Sequence, residues 1–130
     1  MTRQKNVEDA DLLKTINEAI IDKKAQNLIN IDLRNIGSSV ADYFVVCSAN
    51  STVQVKAIAE HVERKLRKEH HEKAYHSEGY ENALWILLDY VNIVVHVFEK
   101  ESREFFRLET LWADAKFSKF DENGKLIAEN

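Results

Sequence analysis

The strongest constraint on the fold is a short, continuous apolar run, YFVVC at residues 43–47, which is rich in β-prone residues. A run of this kind is typical of a strand buried on both faces, in the middle of a sheet that helices cover. Ser51 and Gln54 follow at the spacing of a capping box, which predicts a helix from there to about Glu69. The chain is therefore predicted to be an α/β protein.

The neighbouring segments have the periodicity of further helices and strands. Residues 9–25 place apolar side chains at helical spacing, whereas residues 27–35 alternate at the period of a half-buried strand. The runs WILLD at 85–89 and IVVHVF at 93–98 are separated by a gap short enough for an antiparallel hairpin. This order predicts a mixed β-sheet covered by helices.

The end of the chain is predicted to hold one more helix and a tail. The helix would run from about residue 102 to residue 115, whereas residues 116–130 are polar and lose periodicity. The apolar side chains that would share one face of this helix are Phe105, Leu108, Leu111 and Trp112. The prediction is thus a single domain over residues 1–115, followed by a polar C-terminal tail.

Length and composition narrow the class of protein. A chain of 130 residues with 45% apolar content suits one compact domain. It has neither the roughly 20 apolar residues of a membrane-spanning helix nor the apolar region of a secretory signal, so we expect a soluble, cytoplasmic protein. A net charge of −4 argues against coating of nucleic acid. The lone Cys47 is expected to be buried.

Four segments resemble the ribosomal silencing factor family, which is also called Iojap-like. They extend over residues 42–115, more than half of the chain, in the order and spacing of that family. The segments are DYFVVCSANS at 42–51, QVKAIAEHVERKL at 54–66, EGYENALWILLDYVNIVVHVF at 78–98 and REFFRLETLWADA at 103–115.

This resemblance implies a fold similar to nucleotidyltransferases, without nucleotidyl transfer. It implies a translational repressor that binds the large ribosomal subunit through its interface protein number fourteen and sterically blocks the small subunit. It also implies a homodimer in the free state. The sequence departs from the family where glycine is frequent, at Ala49 and Ala83, and Val91 and Asn92 replace a frequent Gly-Asp pair.

The alternative function is a residual nucleotide-binding or nucleotidyltransferase-like enzyme. Such an enzyme needs a Gly-Ser turn and two carboxylates two residues apart, which hold the metal ions that bridge the triphosphate. Here Gly37-Ser38 is followed by Asp42, but Phe44 stands in place of the second carboxylate. Asp89 could be a further acid. We predict no catalytic residues, and the chain is predicted not to be an enzyme.

We also predict no cofactor and no metal. His70, His71 and His76 lie in or near a polar loop without an accompanying cysteine, so solvated histidines are expected rather than zinc ligands. The basic residues of the second helix are expected to form a solvated face, and a peripheral contact with ribosomal RNA is left open. These basic residues are Arg64, Lys65, Arg67 and Lys68.

The partner-binding surface is predicted on the hairpin formed by residues 85–98. Its strands are apolar enough to offer one face to a partner, and a few polar residues interrupt that surface. Trp85 is left open between core and interface, and Trp112 is expected in the core. Tyr80 is expected to be an exposed anchor, and His96 to be half-buried. The predicted partner-binding residues are Tyr80, Trp85, Asp89, Asn92 and His96.

Overall fold

The computed structural model describes residues 7–36, 41–108, 110 and 114–130. Three helices and seven strands alternate along this part of the chain. In chain order they are α1 (Val7–Asp22), β1 (Gln26–Asp32), β2 (Tyr43–Ala49), α2 (Thr52–His70), β3 (His76–Glu78), β4 (Trp85–Asp89), β5 (Ile93–Glu99), α3 (Lys100–Phe106), β6 (Lys116–Phe120) and β7 (Leu126–Glu129).

All seven strands form one mixed sheet in the order β3-β4-β5-β2-β1-β6-β7. The apolar run that was predicted to be central is β2, the middle strand. It pairs in parallel with β5 and antiparallel with β1, while β4 and β5 form the predicted antiparallel hairpin. The predicted α/β fold with a mixed sheet is confirmed, and it is compatible with the likeness to nucleotidyltransferases.

The helix α2 begins and packs as its sequence predicted. The Ser51 hydroxyl accepts a hydrogen bond of 3.2 Å from the Gln54 backbone N–H, which satisfies one free donor of the first turn. Val55, Ile58 and Leu66 are buried, together with Ala59 and Val62. They pack with α1 on the sheet side chains of Val45, Cys47, Val95 and Val97, so α1 and α2 cover one face of the sheet.

The other face of the sheet, here called the α3 face, carries a second core cluster. Alternate side chains of the same strands point there, because successive residues of a strand face opposite ways. Ile31, Phe44, Val46, Val94 and Phe98 are buried on this face, and Leu108 packs over them. The α3 face therefore holds the other half of the core.

The last helix is shorter than predicted. α3 ends at Phe106 because Arg107 adopts a left-handed conformation, with φ +47, and its N–H bonds back to the Arg103 carbonyl. The prediction of one unbroken helix as far as residue 115 is therefore wrong, since the helix is interrupted at Arg107. Leu111 and Trp112 lie outside the described residues.

The segment after Ala115 forms two strands, although no regular structure was predicted for it. β6 pairs antiparallel with β1, and β7 pairs with β6 as the last strand of the sheet. The side chains of β7 are all exposed, so the strand carries no burial pattern that sequence could reveal. Pairing to the edge of β1, rather than hydrophobic alternation, orders this segment.

Two expectations about the interior and the membrane can be compared with the structure. Cys47 is fully buried, as expected, and burial raises the pKa of its thiol to about 12. None of the helices within the described ranges is long and apolar enough to cross a membrane.

Candidate partner-docking surface

An aromatic cluster lies on the α3 face where β4 and β5 meet α3. Trp85 of β4 stacks on Phe98 of β5 with ring centroids 4.8 Å apart, because the two residues are paired across the hairpin. Phe106 of α3 lies 4.9 Å from the Trp85 ring, and Phe105 lies 5.1 Å from Phe106. Strand pairing and the short helix together place four aromatic rings side by side.

This cluster is open to solvent at its outer side. Phe105 is 81% exposed and Phe106 is 48% exposed, while Trp85 and Leu87 are only partly buried. Contiguous exposed aromatic side chains of this kind are typical of surfaces that dock a partner. The name aromatic face is used below for the surface formed by Trp85, Leu87, Phe105 and Phe106.

His96 lies beneath the aromatic face and is buried, with 3% of its surface exposed. Its ring contacts Phe44 edge to face, with centroids 4.6 Å apart. The Trp85 indole N–H donates a 3.1 Å hydrogen bond to His96 Nδ1. Because an indole nitrogen only donates, Nδ1 must be unprotonated, and the ring proton of the neutral imidazole lies on Nε2.

Burial has a second consequence for this histidine. Nε2 has no hydrogen-bond partner among the described residues, and burial lowers the pKa of the His96 imidazole to about 4. His96 is therefore neutral near pH 7 and holds the Trp85 ring from below. The expectation that His96 is only half-buried is wrong, because Phe44 and Phe98 close over it.

Asp89 and Asn92 flank the tight turn between β4 and β5, but they have different partners. The Asp89 carboxylate accepts a 2.7 Å hydrogen bond from the Val91 N–H. The Asn92 side-chain amide instead donates to the Asp9 carboxylate of α1 at 3.3 Å. Asp89 shares the α3 face with Trp85, since the two residues are four apart on one strand. Asn92 is directed to the helix side.

Val91 adopts a backbone conformation that β-branched residues rarely take. Its φ is +75, in the left-handed region, and its side chain is 56% exposed. The resemblance places glycine here, and glycine adopts this conformation without strain. Ala83 shows the same effect with φ +56, so its replacement of glycine changes backbone freedom as well as size.

We expect Val91→Gly to raise the free energy of unfolding by about 1 kcal/mol, because the strain of a left-handed valine exceeds the added freedom of glycine in the unfolded chain. Urea denaturation measures the change. Val53→Gly is the matched control, since Val53 is an exposed residue of α2 and glycine in a helix should lower stability. A loss of stability in Val91→Gly would contradict the strain argument.

Tyr80 does not belong to the aromatic face. It is partly buried against the core under α1 and α2, and its hydroxyl donates a hydrogen bond to the Glu63 carboxylate of α2. Burial and this carboxylate raise the pKa of the Tyr80 hydroxyl far above its usual range. The expectation of an exposed anchor is therefore wrong: the hydroxyl finds a partner on α2, and the ring is drawn inward.

The polar residues considered for metal or RNA binding are mostly engaged within the protein. His70 Nε2 lies 2.8 Å from the Thr15 hydroxyl, and His76 lies 2.8 Å from Glu78. In the basic stretch of α2, Lys65 forms an ion pair with Asp22 at 3.2 Å. No three His, Cys, Asp or Glu side chains within the described ranges group closely enough to hold a metal ion.

The elements of a nucleotidyltransferase site are only partly visible. Gly37 and Ser38 lie outside the described residues. Phe44, at the position of the second carboxylate, is buried against His96 in the core of the α3 face. The side chain that a metal-dependent transferase would use there is thus an apolar core residue.

The structure brings Trp85, Asp89 and His96 to one face of the sheet, and it separates Tyr80 and Asn92 from them. It also adds Phe105, Phe106 and Leu87, which sequence reasoning did not assign to the surface. The two adjacent phenylalanines could have indicated an aromatic patch from sequence. Which side of the helix is exposed depends on where α3 ends, at Phe106. These features define a small α/β protein whose open sheet face is suited to docking a partner.

Comparison with known proteins identifies the family. The sequence model of the protein family described as "Ribosomal silencing factor during starvation" matches residues 6–129. A ribosomal silencing factor of Halalkalibacterium halodurans is 42% identical over 105 residues, which are 81% of this chain and 88% of that protein. The chain therefore belongs to the ribosomal silencing factor family, whose members are ribosome-associated repressors of translation rather than known enzymes.

Two further proteins extend the comparison. A crystal structure of a Chromobacterium violaceum protein has a TM-score of 0.76 at 32% identity, covering 80% of this chain and 85% of that chain. A mouse protein named "Mitochondrial assembly of ribosomal large subunit protein 1" is 30% identical over 93 residues, which are 68% of this chain and 39% of its own length. The fold is thus shared with a solved structure.

Proposed function

We propose that this chain represses translation in the cytoplasm by binding the large ribosomal subunit through its interface protein number fourteen. The aromatic face and Asp89 form the contact, and the bound protein sterically blocks association with the small subunit. The family resemblance supports the partner. The name of the mouse relative, which refers to the large subunit, points the same way.

The observation that carries the proposal is the exposed aromatic cluster on the α3 face. Phe105 projects from a short helix with 81% of its surface exposed, next to the half-exposed Phe106. Trp85 forms the inner side of the cluster, held by Phe98 and by its hydrogen bond to His96. Rigid aromatic side chains at the centre of a contact carry most of the binding free energy of protein interfaces.

Phe105→Ala is the cleanest test of this surface. Because its side chain makes little contact with the core, the substitution should leave the free energy of unfolding within about 0.5 kcal/mol of the wild-type value. It should weaken binding to purified large subunits by about 1–3 kcal/mol, the range of an interface anchor. Co-sedimentation with isolated large subunits, over a range of protein concentrations, measures the affinity.

Val53→Ala is the matched control for that experiment. Val53 is 78% exposed but lies on α2, which covers the opposite face of the sheet. It should bind large subunits like the wild type. Unchanged affinity in a folded Phe105→Ala/Asp89→Ala double variant would move the contact elsewhere. Equal affinity for large subunits and for joined ribosomes would reject steric blocking.

Trp85→Ala and His96→Ala should also weaken binding to large subunits, but both substitutions should lower the stability of the fold as well. His96 is buried and Trp85 packs on two other rings, so each truncation leaves a cavity. Their binding measurements therefore need melting curves beside them, whereas Phe105→Ala separates binding from stability.

The aromatic face also motivates the proposal that the free protein is a homodimer. An apolar surface that waits for a partner is sheltered from water when two copies meet. Light scattering at micromolar concentrations should then show a dimer in the wild type and more monomer in Phe105→Ala. A wild-type protein that stays monomeric would contradict self-association.

A further inference from the structure

A cleft of about 910 Å³ lies on the other side of α3, between that helix and the strands β1, β6 and β7. The helix presents Lys100 and Arg103 to the cleft from one helical face, and Arg107, the residue that follows the helix, also lines it. Phe106 points the opposite way, to Trp85. The cleft is thus separated from the aromatic face by the body of α3.

One wall of the cleft is fixed by a buried arginine. Arg103 is 9% exposed, and its guanidinium donates a 2.6 Å hydrogen bond to the Asn27 carbonyl and a 3.4 Å hydrogen bond to the Ser48 hydroxyl. Asn27 lies in a bulge of β1 and has φ +52. The bulge turns this carbonyl away from the strand ladder, where Arg103 binds it and ties α3 to the sheet.

The cleft concentrates positive charge in an acidic protein. Lys100, Arg107 and Lys119 line it and are exposed, and none of the ion pairs found among the described residues includes them. Two carboxylates, Glu104 and Glu129, also line the cleft. The four cationic side chains outnumber them, although the whole chain has a net charge of −4. The three exposed cations, Lys100, Arg107 and Lys119, favour a phosphoryl group.

Beside the cations, the cleft has an apolar wall that includes an aromatic ring. Phe117 and Lys119 project from the same face of β6, because they pair with Ile31 and Ile29 of the α3 face. Phe117 is only partly buried. A planar base can stack on such a ring while its phosphates reach the neighbouring cations.

We propose that this cleft binds a phosphorylated nucleoside, with the phosphoryl group held by Lys100, Arg107 and Lys119 and the base against Phe117. The nucleoside is either a free nucleotide or one residue of an RNA strand. The site lies at the end of the sheet opposite Asp42, so it is distinct from the position of a nucleotidyltransferase site.

The proposal is tested by calorimetric titration of the full chain at low salt. The probes are ATP, GTP, adenosine, and a 5′-phosphorylated single-stranded RNA of ten nucleotides. We expect the phosphorylated probes to bind more tightly than adenosine. The double charge reversal Lys100→Glu/Lys119→Glu should weaken their binding by at least about tenfold, and Arg107→Gln should weaken it by a smaller factor.

Matched controls separate the cleft from general charge effects. Lys56→Glu/Lys73→Glu makes the same change at exposed positions outside the cleft and should bind the probes like the wild type. Tighter binding of ATP or GTP than of RNA identifies a free nucleotide as the ligand, and the reverse identifies RNA. The proposal is overturned by absent binding in the wild type, by undiminished binding in the cleft variant, or by loss of binding in Asp42→Asn alone.

Discussion

Gly79→Ala is expected to lower the free energy of unfolding by about 3 kcal/mol or more, because it combines backbone strain with a backbone collision. Gly79 has φ +93, in the left-handed region. A Cβ at this position would overlap the Trp85 carbonyl oxygen and lie 3.0 Å from its carbonyl carbon. Neither group is a flexible side chain that could move aside, so the start of β4 must shift.

The chain contains its own control for this substitution. Gly124 also has a left-handed φ, +85, but a Cβ there would meet only the Ile21 side chain at 3.5 Å, an ordinary contact. Gly124→Ala should therefore lower stability by about 1 kcal/mol, the strain alone. Thermal denaturation of both variants compares the two losses. Equal losses would show that the close approach to Trp85 contributes nothing.

The proposed docking surface depends on this turn, because the turn packs against the backbone of Trp85. If Gly79→Ala shifts the start of β4, the indole should lose its alignment with Phe98 and His96. Large-subunit binding should then fall even in the fraction of molecules that remains folded. Near-ultraviolet circular dichroism of the tryptophans reports such a shift before unfolding begins.

The sequence predicted those elements whose local signals agree with their tertiary environment. β2 is apolar from Tyr43 to Cys47 and buried on both faces, and α2 has both a Ser51 cap and an apolar stripe. In these segments periodicity, capping and burial all indicate the same structure, so each could be read without knowledge of its neighbours.

The elements at the end of the chain depend on contacts that no local pattern records. α3 ends at Phe106, and the left-handed residue that follows it is Arg107 rather than the glycine that usually occupies this position. The side chains of β6 and β7 are exposed or only partly buried, and these segments become strands through pairing, β6 with β1 and β7 with β6. A sequence pattern shows what a segment could bury, but it does not show which sheet edge is available to it.

The residues of the candidate site also divide into those that local sequence predicts and those whose position depends on tertiary contacts. The hairpin and the apolar character of its strands could be predicted, whereas Trp85, which was left open between core and interface, is partly buried. The depth of His96 and the inward turn of Tyr80 could not be predicted, because they depend on residues of other elements: Phe44 of β2 for His96, and Glu63 of α2 for Tyr80. Phe105 was assigned to a helix face whose exposure depends on where α3 ends.

The second large effect is a loss of stability in mild acid that originates from His96. Burial lowers the pKa of its imidazole to about 4 in the folded protein, whereas the unfolded chain has the ordinary value near 6.5. As the pH falls below about 6.5, the unfolded chain binds a proton at His96 and the folded protein does not. Stability is therefore complete above that pH and declines as the pH falls to about 4.

The size of this decline follows from the difference between the two pKa values, which corresponds to about 3 kcal/mol. The physical origin is visible at both ring nitrogens. Nδ1 already accepts the Trp85 N–H, and Nε2 is buried without a partner among the described residues, so a second proton would create an unsolvated charge. The Trp85 hydrogen bond would be lost in the same step.

His96→Leu isolates this contribution, because leucine fills much of the same space and does not titrate. We expect its free energy of unfolding, from urea denaturation at several pH values, to change by about 3 kcal/mol less than that of the wild type between pH 6.5 and pH 4. His71→Asn should keep the wild-type dependence, since His71 is exposed at the end of α2 and asparagine tolerates its left-handed conformation. If the free energies of unfolding of the wild type and His96→Leu fall in parallel with pH, His96 titrates normally. The assignment of a buried, neutral imidazole beneath the aromatic face would then be wrong.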